Sequence, residues 1–203
     1  MARYVGRENV RKRLEPLEGR PGRTTYADGA ARIETADETI TVRPPFGLAH
    51  ARVYEQVELE PLFEALAEDH VVAALLVRLG GYAVGVFEGE RLVASKVGSR
   101  FVKGRHKKGG SSANRFRRRR EEQERALLDA ATEMAARVLE PYRPSIEHVA
   151  FGGDRAAAEK VVERVPWLDE KRLERFFSVP DPRQRELERL PYELYAAELT
   201  EER

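Results

Sequence analysis

The 203 residues contain no cysteine, which excludes disulfides, a thiol nucleophile and any Cys-ligated metal. Only four histidines occur, His50, His70, His106 and His148, and no two stand at helical ligand spacing. The spacing therefore gives no reason to expect a zinc site, and no metal or organic cofactor is implied. No apolar run approaches the about 20 residues needed to cross a bilayer. The leading MARYVGRENVRKRLEPL is basic but lacks the apolar stretch of a secretory signal. These absences predict a cytoplasmic protein without a membrane partner.

What is present begins with the makings of a core. Apolar residues are 41% of the chain, while charged residues reach 35%, above the usual quarter for globular proteins. The formal net charge is only +1, so its distribution carries the information. From Lys96 to Arg120 there are eleven Lys or Arg residues and no Asp or Glu, which leaves the other 178 residues at −10. Folding alone has no use for such segregation, because like charges repel. The pattern predicts a mildly acidic body with one concentrated basic element.

Hydrophobic patterning places that element. Residues 1–56 read as a small N-terminal α+β extension: a helix around Glu8–Leu17, a turn-rich Gly19–Gly29, and a hairpin from Arg32–Thr35 and Thr39–Val42. A helix follows over Pro61–Glu68, with Pro61 at its first position. Three strands come next, the continuous apolar run Val71–Leu79, then Tyr82–Phe87 and Arg91–Val97, joined by turns at Gly80-Gly81 and Gly89. From about Ser112 to Leu139 the period becomes helical, with Leu127, Leu128, Ala131, Met134, Ala135, Val138 and Leu139 in one stripe and Pro141 beyond. A strand (Ile146–Phe151), a helix capped by Asp154, a strand (Arg175–Val179), a short helix (Pro182–Leu190) and a closing strand at Tyr192–Leu199 complete the chain; a helix fits that last segment almost as well. Strands followed by alternating helices and strands predict the α/β class, with a mixed sheet.

Between the meander and the long helix lies Lys103-Gly104-Arg105-His106-Lys107-Lys108-Gly109-Gly110-Ser111-Ser112-Ala113-Asn114-Arg115-Phe116-Arg117-Arg118-Arg119-Arg120. Glycines let a loop tip adopt positive φ and approach another molecule without a Cβ. Ser111 or Ser112 suits the N-cap of the helix. That helix opens with Arg115, Arg117, Arg118, Arg119 and Arg120, and cations at a helix N-terminus oppose its dipole by about 0.3–1 kcal/mol each. A bound polyanion offsets this cost, and phosphates favour helix N-termini. A plain solvated helix is the competing reading: Arg117–Glu121, Arg118–Glu122 and Arg120–Glu124 are spaced for ion pairs, each worth about 0.2–0.5 kcal/mol and in the weaker order. Those pairs would still leave Lys103, Arg105, Lys107, Lys108 and Arg115 unmatched. With only Phe101 and Phe116 nearby, the segment predicts phosphate and shape contacts rather than base stacking.

The string from Arg105 to Phe116 resembles the catalytic loop and helix start of the middle domain of the archaeo-eukaryotic class-one release factors. There a basic stretch with His precedes Gly-Gly-Gln, then Ser-Ala-x-Arg-Phe and an Arg-rich helix. The resemblance covers about residues 57–203 and extends to the Vms-type release factors of ribosome quality control, including their actinobacterial branch. It implies a release-factor-like catalytic domain over 57–203, acting as a monomer on the ribosome. The loop would enter the peptidyl-transferase centre, contact large-subunit RNA and promote hydrolysis of the peptidyl-tRNA ester. By this likeness Gly109, Gly110, Ser111 and Ser112 are the catalytic positions, and Lys103, Arg105, His106, Lys107, Lys108, Arg115 and Arg117 to Arg120 bind RNA. The sequence departs from the family at one position. The family's Gln aligns with Ser111, or with Ser112 under a one-residue offset, and the nearest glutamine is Gln123. A backbone amide is retained there for leaving-group stabilisation, while the side chain that positions water is changed to a hydroxyl.

Two further readings stay open at this stage: a non-catalytic ribosome- or tRNA-binding factor, and a nuclease trimming the tRNA 3′ end, which would need a metal-binding carboxylate cluster near the loop. Other features read as structural. Phe151-Gly152-Gly153-Asp154 lacks the Lys-Ser/Thr of a phosphate-binding loop and reads as a turn. Glu88 and Glu90 flank a hairpin glycine, and Trp167 reads as a core or interface anchor.

Overall fold

The computed structural model describes residues 2–99 and 113–202. In chain order its elements are β1 (Arg3–Gly6), α1 (Arg7–Leu14), β2 (Arg23–Ala27), β3 (Ala30–Glu34), β4 (Thr39–Arg43), β5 (Arg52–Tyr54) and α2 (Glu60–Ala67). There follow β6 (Val71–Arg78), β7 (Gly81–Glu88), β8 (Arg91–Ser99), α3 (Ala113–Leu139), β9 (His148–Gly153), α4 (Arg155–Val162), α5 (Trp167–Glu170), β10 (Arg172–Phe177), α6 (Gln184–Leu194) and β11 (Ala196–Glu202). The result is a mixed α/β protein with two sheets, ordered β1-β11-β4-β3-β2-β5 and β10-β9-β6-β7-β8. Its contacts divide the chain into two units, Met1–Asp69 with Pro191–Arg203, and His70–Leu190.

The first unit is an antiparallel sheet covered by α1 and α2. Alternation drives it: Thr24 and Tyr26, Ala31 and Ile33, and Ile40 and Val42 are buried, while residues between them are more open. Asp28 and Gly29 turn β2 into β3 with φ of 51° and 70°, the doubly positive geometry of a two-residue hairpin. The stretch Gly19–Gly29, expected as turn alone, therefore contains a strand, β2. The division between units falls after Asp69 rather than after residue 56 because the intervening segment is bound into this unit. Thr24 Oγ1 donates to the Gln56 carbonyl at 3.1 Å and accepts from the Glu58 amide at 3.0 Å. Tyr26 donates to the Glu58 carbonyl at 2.7 Å, and Leu62 and Leu66 of α2 join the same core. The closing strand also belongs here. β11 pairs with β4 and β1, and buries Ala197 and Leu199.

The second unit holds the expected meander. β6, β7 and β8 are successive antiparallel neighbours, whereas β9 and β10 lie parallel on the other side of β6. Val72–Val77 are all buried, as a central strand requires. α3 packs across β7 and β8. Its stripe Leu127, Leu128, Ala131, Ala135 and Leu139 meets Tyr82, Val84 and Val86 in one cluster. Trp167 is buried in the same cluster, which fits the core-anchor reading. Pairing of Val77 with Gly153 and of Gly81 with Ser99 puts the carboxyl ends of β6, β8 and β9 at one end of the sheet. The chain leaves that end after Ser99 and re-enters the described structure at Ala113.

Candidate nucleic-acid interface

Of the residues singled out by sequence, Lys103, Arg105, His106, Lys107, Lys108, Gly109, Gly110, Ser111 and Ser112 lie outside the described residues. The other five, Arg115 and Arg117 to Arg120, form the opening turns of α3. The helix starts where expected, at Ala113. From Asn114 to Ala126 no side chain is fully buried, and Leu127 is the first that is. At about 1.5 Å per residue this open stretch is roughly 20 Å of helix. Phe116, Arg120, Gln123, Glu124 and Ala126 are half-buried along it, and the other residues are exposed.

The angular positions of the arginines differ. At about 100° per residue, Arg115, Arg118 and Arg119 fall on the side opposite the Leu127–Leu139 stripe, and all three are exposed. Arg120 falls nearer the stripe and is half-buried. The competing ion-pair reading fits only weakly. Arg117 and Glu121 approach to 3.8 Å with both side chains largely in solvent, a separation too long for a hydrogen bond. Glu124, a candidate partner for Arg120, instead receives Lys160 of α4 at 3.2 Å. Among the described residues no ion pair engages Arg115, Arg118, Arg119 or Arg120. The first turn of α3 carries no acidic residue, so nothing there offsets the opposition between guanidinium charge and helix dipole.

The neighbouring helix start is built the other way. Asp154 caps α4, its carboxylate accepting from the Ala157 amide at 2.9 Å. Gly153 has φ of 94°, and a Cβ there would sit 2.3 Å from the Val77 carbonyl oxygen. The Asp154 amide donates to that same oxygen at 2.7 Å. The Gly-Gly pair thus serves close backbone packing, as the turn reading holds. Two arginines at this end of the sheet are not among the sequence-predicted residues. Arg155 lies exposed over the Phe176 ring at 4.5 Å, and Arg78 donates to the Pro180 carbonyl at 2.8 Å. Their positions at or just after strand ends are the only signal the sequence offers.

At the opposite end of the sheet two histidines that are far apart in sequence come together with a glutamate. His70, immediately before β6, and Glu147 and His148, at the start of β9, bring their donor atoms within 4.8 Å of one another. Helical spacing does not reveal this proximity, because parallel pairing of β6 with β9 joins residues that are far apart in sequence. Glu147 accepts from His70 Nδ1 and from the Val71 amide, each at 2.9 Å. Burial pushes the Glu147 carboxyl up, but the Val71 amide and His70 outweigh it and hold the group below its ordinary value. Burial, with nearby His70 and Lys171, lowers His148.

An α/β unit whose strand meander leads, across thirteen residues outside the description, into an arginine-headed helix has the element order expected of the release-factor class. The model of the Actinobacteria/chloroflexi VLRF1 release factor family matches residues 70–200, and the chain belongs to that family. Its match begins at the first residue of the second unit. Peptide chain release factor subunit 1 of Archaeoglobus fulgidus is 30% identical over 105 residues, which are 52% of this chain and 26% of that protein. The chain thus spans about a quarter of the length of that curated relative. Among solved structures, the archaeal translation termination factor aRF1 is similar over 93% of this chain and 54% of its own, at 16% identity and a TM-score of 0.45. The Vms1 mitochondrial localization core is similar over 94% of this chain and 80% of its own, at 12% identity and a TM-score of 0.41. No helix among the described residues is long and apolar enough to cross a membrane.

Proposed function

We propose that this protein rescues stalled ribosomes by hydrolysing the ester of peptidyl-tRNA, with Gly109-Gly110-Ser111 as the loop tip that enters the peptidyl-transferase centre. The observation that carries the reading is the opening of α3, a run of arginines none of which is fully buried and which, Arg117 apart, have no carboxylate partner among the described residues. On this reading Arg115, Arg118 and Arg119 bind ribosomal RNA or tRNA phosphates. Lys103, Arg105, Lys107 and Lys108 extend the same contact, and the α/β body acts as the rigid support. The Ser111 amide stabilises the leaving 3′-oxygen, and a serine hydroxyl holds the attacking water. The reaction consumes one water and yields the free peptide acid and intact tRNA. Membership of the release-factor family supports the assignment of substrate.

Peptidyl-tRNA on purified stalled ribosomes tests it. Expected are released peptide with full-length tRNA, and a loss of about 10²–10³-fold in release rate for Gly110→Ala, the range seen when one preorganised donor is displaced, with ribosome binding retained. The second reading, a factor that binds without cleaving, is favoured by the absence of the family's Gln from the loop. It predicts saturable ribosome binding with no release at any concentration. Shortened tRNA in place of released peptide would instead identify a nuclease.

A further inference from the structure

The cluster of His70, Glu147 and His148 takes no part in the function proposed above. Register sets it apart. His70 precedes β6 at the end where Val71 pairs with Glu88, and Ser99 pairs with Gly81 at the other end. Eight residues of strand at about 3.3 Å each separate the two ends by roughly 25 Å. The cluster therefore lies at the end of the sheet opposite Ser99.

We propose that His70, Glu147 and His148 form a binding site for a divalent transition-metal ion of the zinc class. Two imidazoles and one carboxylate are a donor set that suits this class, and three protein donors leave a fourth position for water. The donor atoms already lie within 4.8 Å of one another. A tetrahedral ion about 2.0–2.1 Å from each donor needs them roughly 3.3 Å apart, an adjustment that side-chain rotation can supply. The three residues come from two adjacent strand starts held in register, Val72 opposite His148, so the backbone fixes the spacing in advance. The carboxylate is also oriented before any ion arrives. Glu147 Oε1 accepts the Val71 amide at 2.9 Å while Oε2 faces His70, the kind of outer support that metal-ligating carboxylates have.

Access suits binding. His70 is buried at 10% side-chain exposure, whereas Glu147 is open at 47%, so an ion enters from solvent over the carboxylate and ends against the imidazoles. Lys171 acts against the ion. Its ammonium lies near His148 and donates to the Arg143 and Ile146 carbonyls, and its charge reduces affinity without occupying a ligand position. A bound ion would bridge the starts of β6 and β9 in place of the direct hydrogen bond between His70 and Glu147, residues 77 positions apart in sequence.

The test is calorimetric titration of the full chain, freed of any affinity tag and of metal by chelator, with Zn²⁺, alongside thermal denaturation. One saturable equivalent and a rise in Tm with Zn²⁺ are expected, because an ion that binds only the folded state stabilises it. Co²⁺ in its place should give the visible absorption of a tetrahedral nitrogen- and oxygen-liganded ion. Glu147→Gln keeps an acceptor for the Val71 amide but removes the anionic ligand. It and His148→Gln should each weaken Zn²⁺ by at least the roughly 10–100-fold that loss of even an outer-shell partner costs, with unchanged circular dichroism. Absence of a saturable equivalent overturns the proposal. So does binding that persists in both folded variants or that disappears instead in His50→Ala.

Discussion

Helix α3 is one continuous element with two unlike halves. Leu127–Leu139 recurs at helical spacing against β7 and β8, and its residues are explained by what they touch inside the protein. Asn114–Ala126 has no fully buried side chain, and Arg115 in its first turn meets the helix dipole with the wrong sign. One half is explained by folding, and the other is the half that the proposed function accounts for. The lesson is that a departure from folding logic, sustained over several turns of an otherwise regular element, is itself a signal of function.

The largest effect expected from separating the halves is on stability. Leu127→Ala or Leu139→Ala removes a side chain with no solvent exposure and should cost about 2–5 kcal/mol in urea denaturation, while a folded sample keeps its salt-dependent affinity for ribosomes. A loss of affinity at temperatures where the variant is folded would break the division. The converse change is the triple Arg115→Gln, Arg118→Gln, Arg119→Gln. Stability should stay at the parent's value or rise by up to about 1 kcal/mol, because only Arg115 lies in the first turn, where its charge opposes the helix dipole, and the other two are ordinary surface positions. Binding should weaken, and the slope of log affinity against log salt should become shallower by about 2–3, since each phosphate that a cation neutralises adds about 0.7–0.9 to it. An unchanged slope would mean that these three side chains do not touch phosphate.

An intermediate effect concerns the neighbouring helix start, whose polarity is conventional. Asp154→Ala removes the carboxylate that accepts the Ala157 amide and should cost about 1 kcal/mol of stability. Ribosome binding should be untouched, since Asp154 serves α4 and not the basic half of α3. Weakened binding would show that the Gly152–Asp154 turn contributes to the contact surface as well as to backbone packing.

Much of the second unit is legible in the sequence because its signals are local. The apolar run Val71–Leu79, the turn glycines, the stripe of α3 and the Asp154 cap each declare an element within a few residues, and the long helix begins at Ala113 as expected. The first unit is less legible because its sheet is completed from a distance. β1 pairs with β11, with Arg3 opposite Leu199, and neither four-residue RYVG nor the closing segment states that partnership locally. β5, three residues long, has too few positions to show alternation. The closing segment divides at Tyr195 between α6 and β11, which is why both helix and strand suit it. Of the candidate site, Arg115 and Arg117 to Arg120 stand out by charge alone and lie on the helix expected. The pairing of His70 with Glu147 is invisible in the sequence, because it depends on which strand becomes the parallel neighbour of β6. That is a tertiary choice, made through burial of Val149 and Phe151 beside Ala73 and Leu75.

The smallest effect is also the most discriminating, because its two consequences have opposite signs. Arg115 lies in the first turn of α3, where a negative charge is favourable and a positive one is not. Arg115→Glu should therefore stabilise the folded protein, by about 0.3–1 kcal/mol at low salt, and the gain should fade as salt screens it. The same substitution places a carboxylate where a phosphate is proposed to bind and should weaken ribosome affinity by more than Arg115→Gln does. A helix whose arginines were merely solvated would show the gain in stability with no loss of binding. A helix whose arginines were held by carboxylates of the protein itself would lose stability. Only an arginine kept at an unfavourable position for an external polyanion gives a more stable protein that binds less well, so denaturation midpoint and affinity measured on one variant decide among the three.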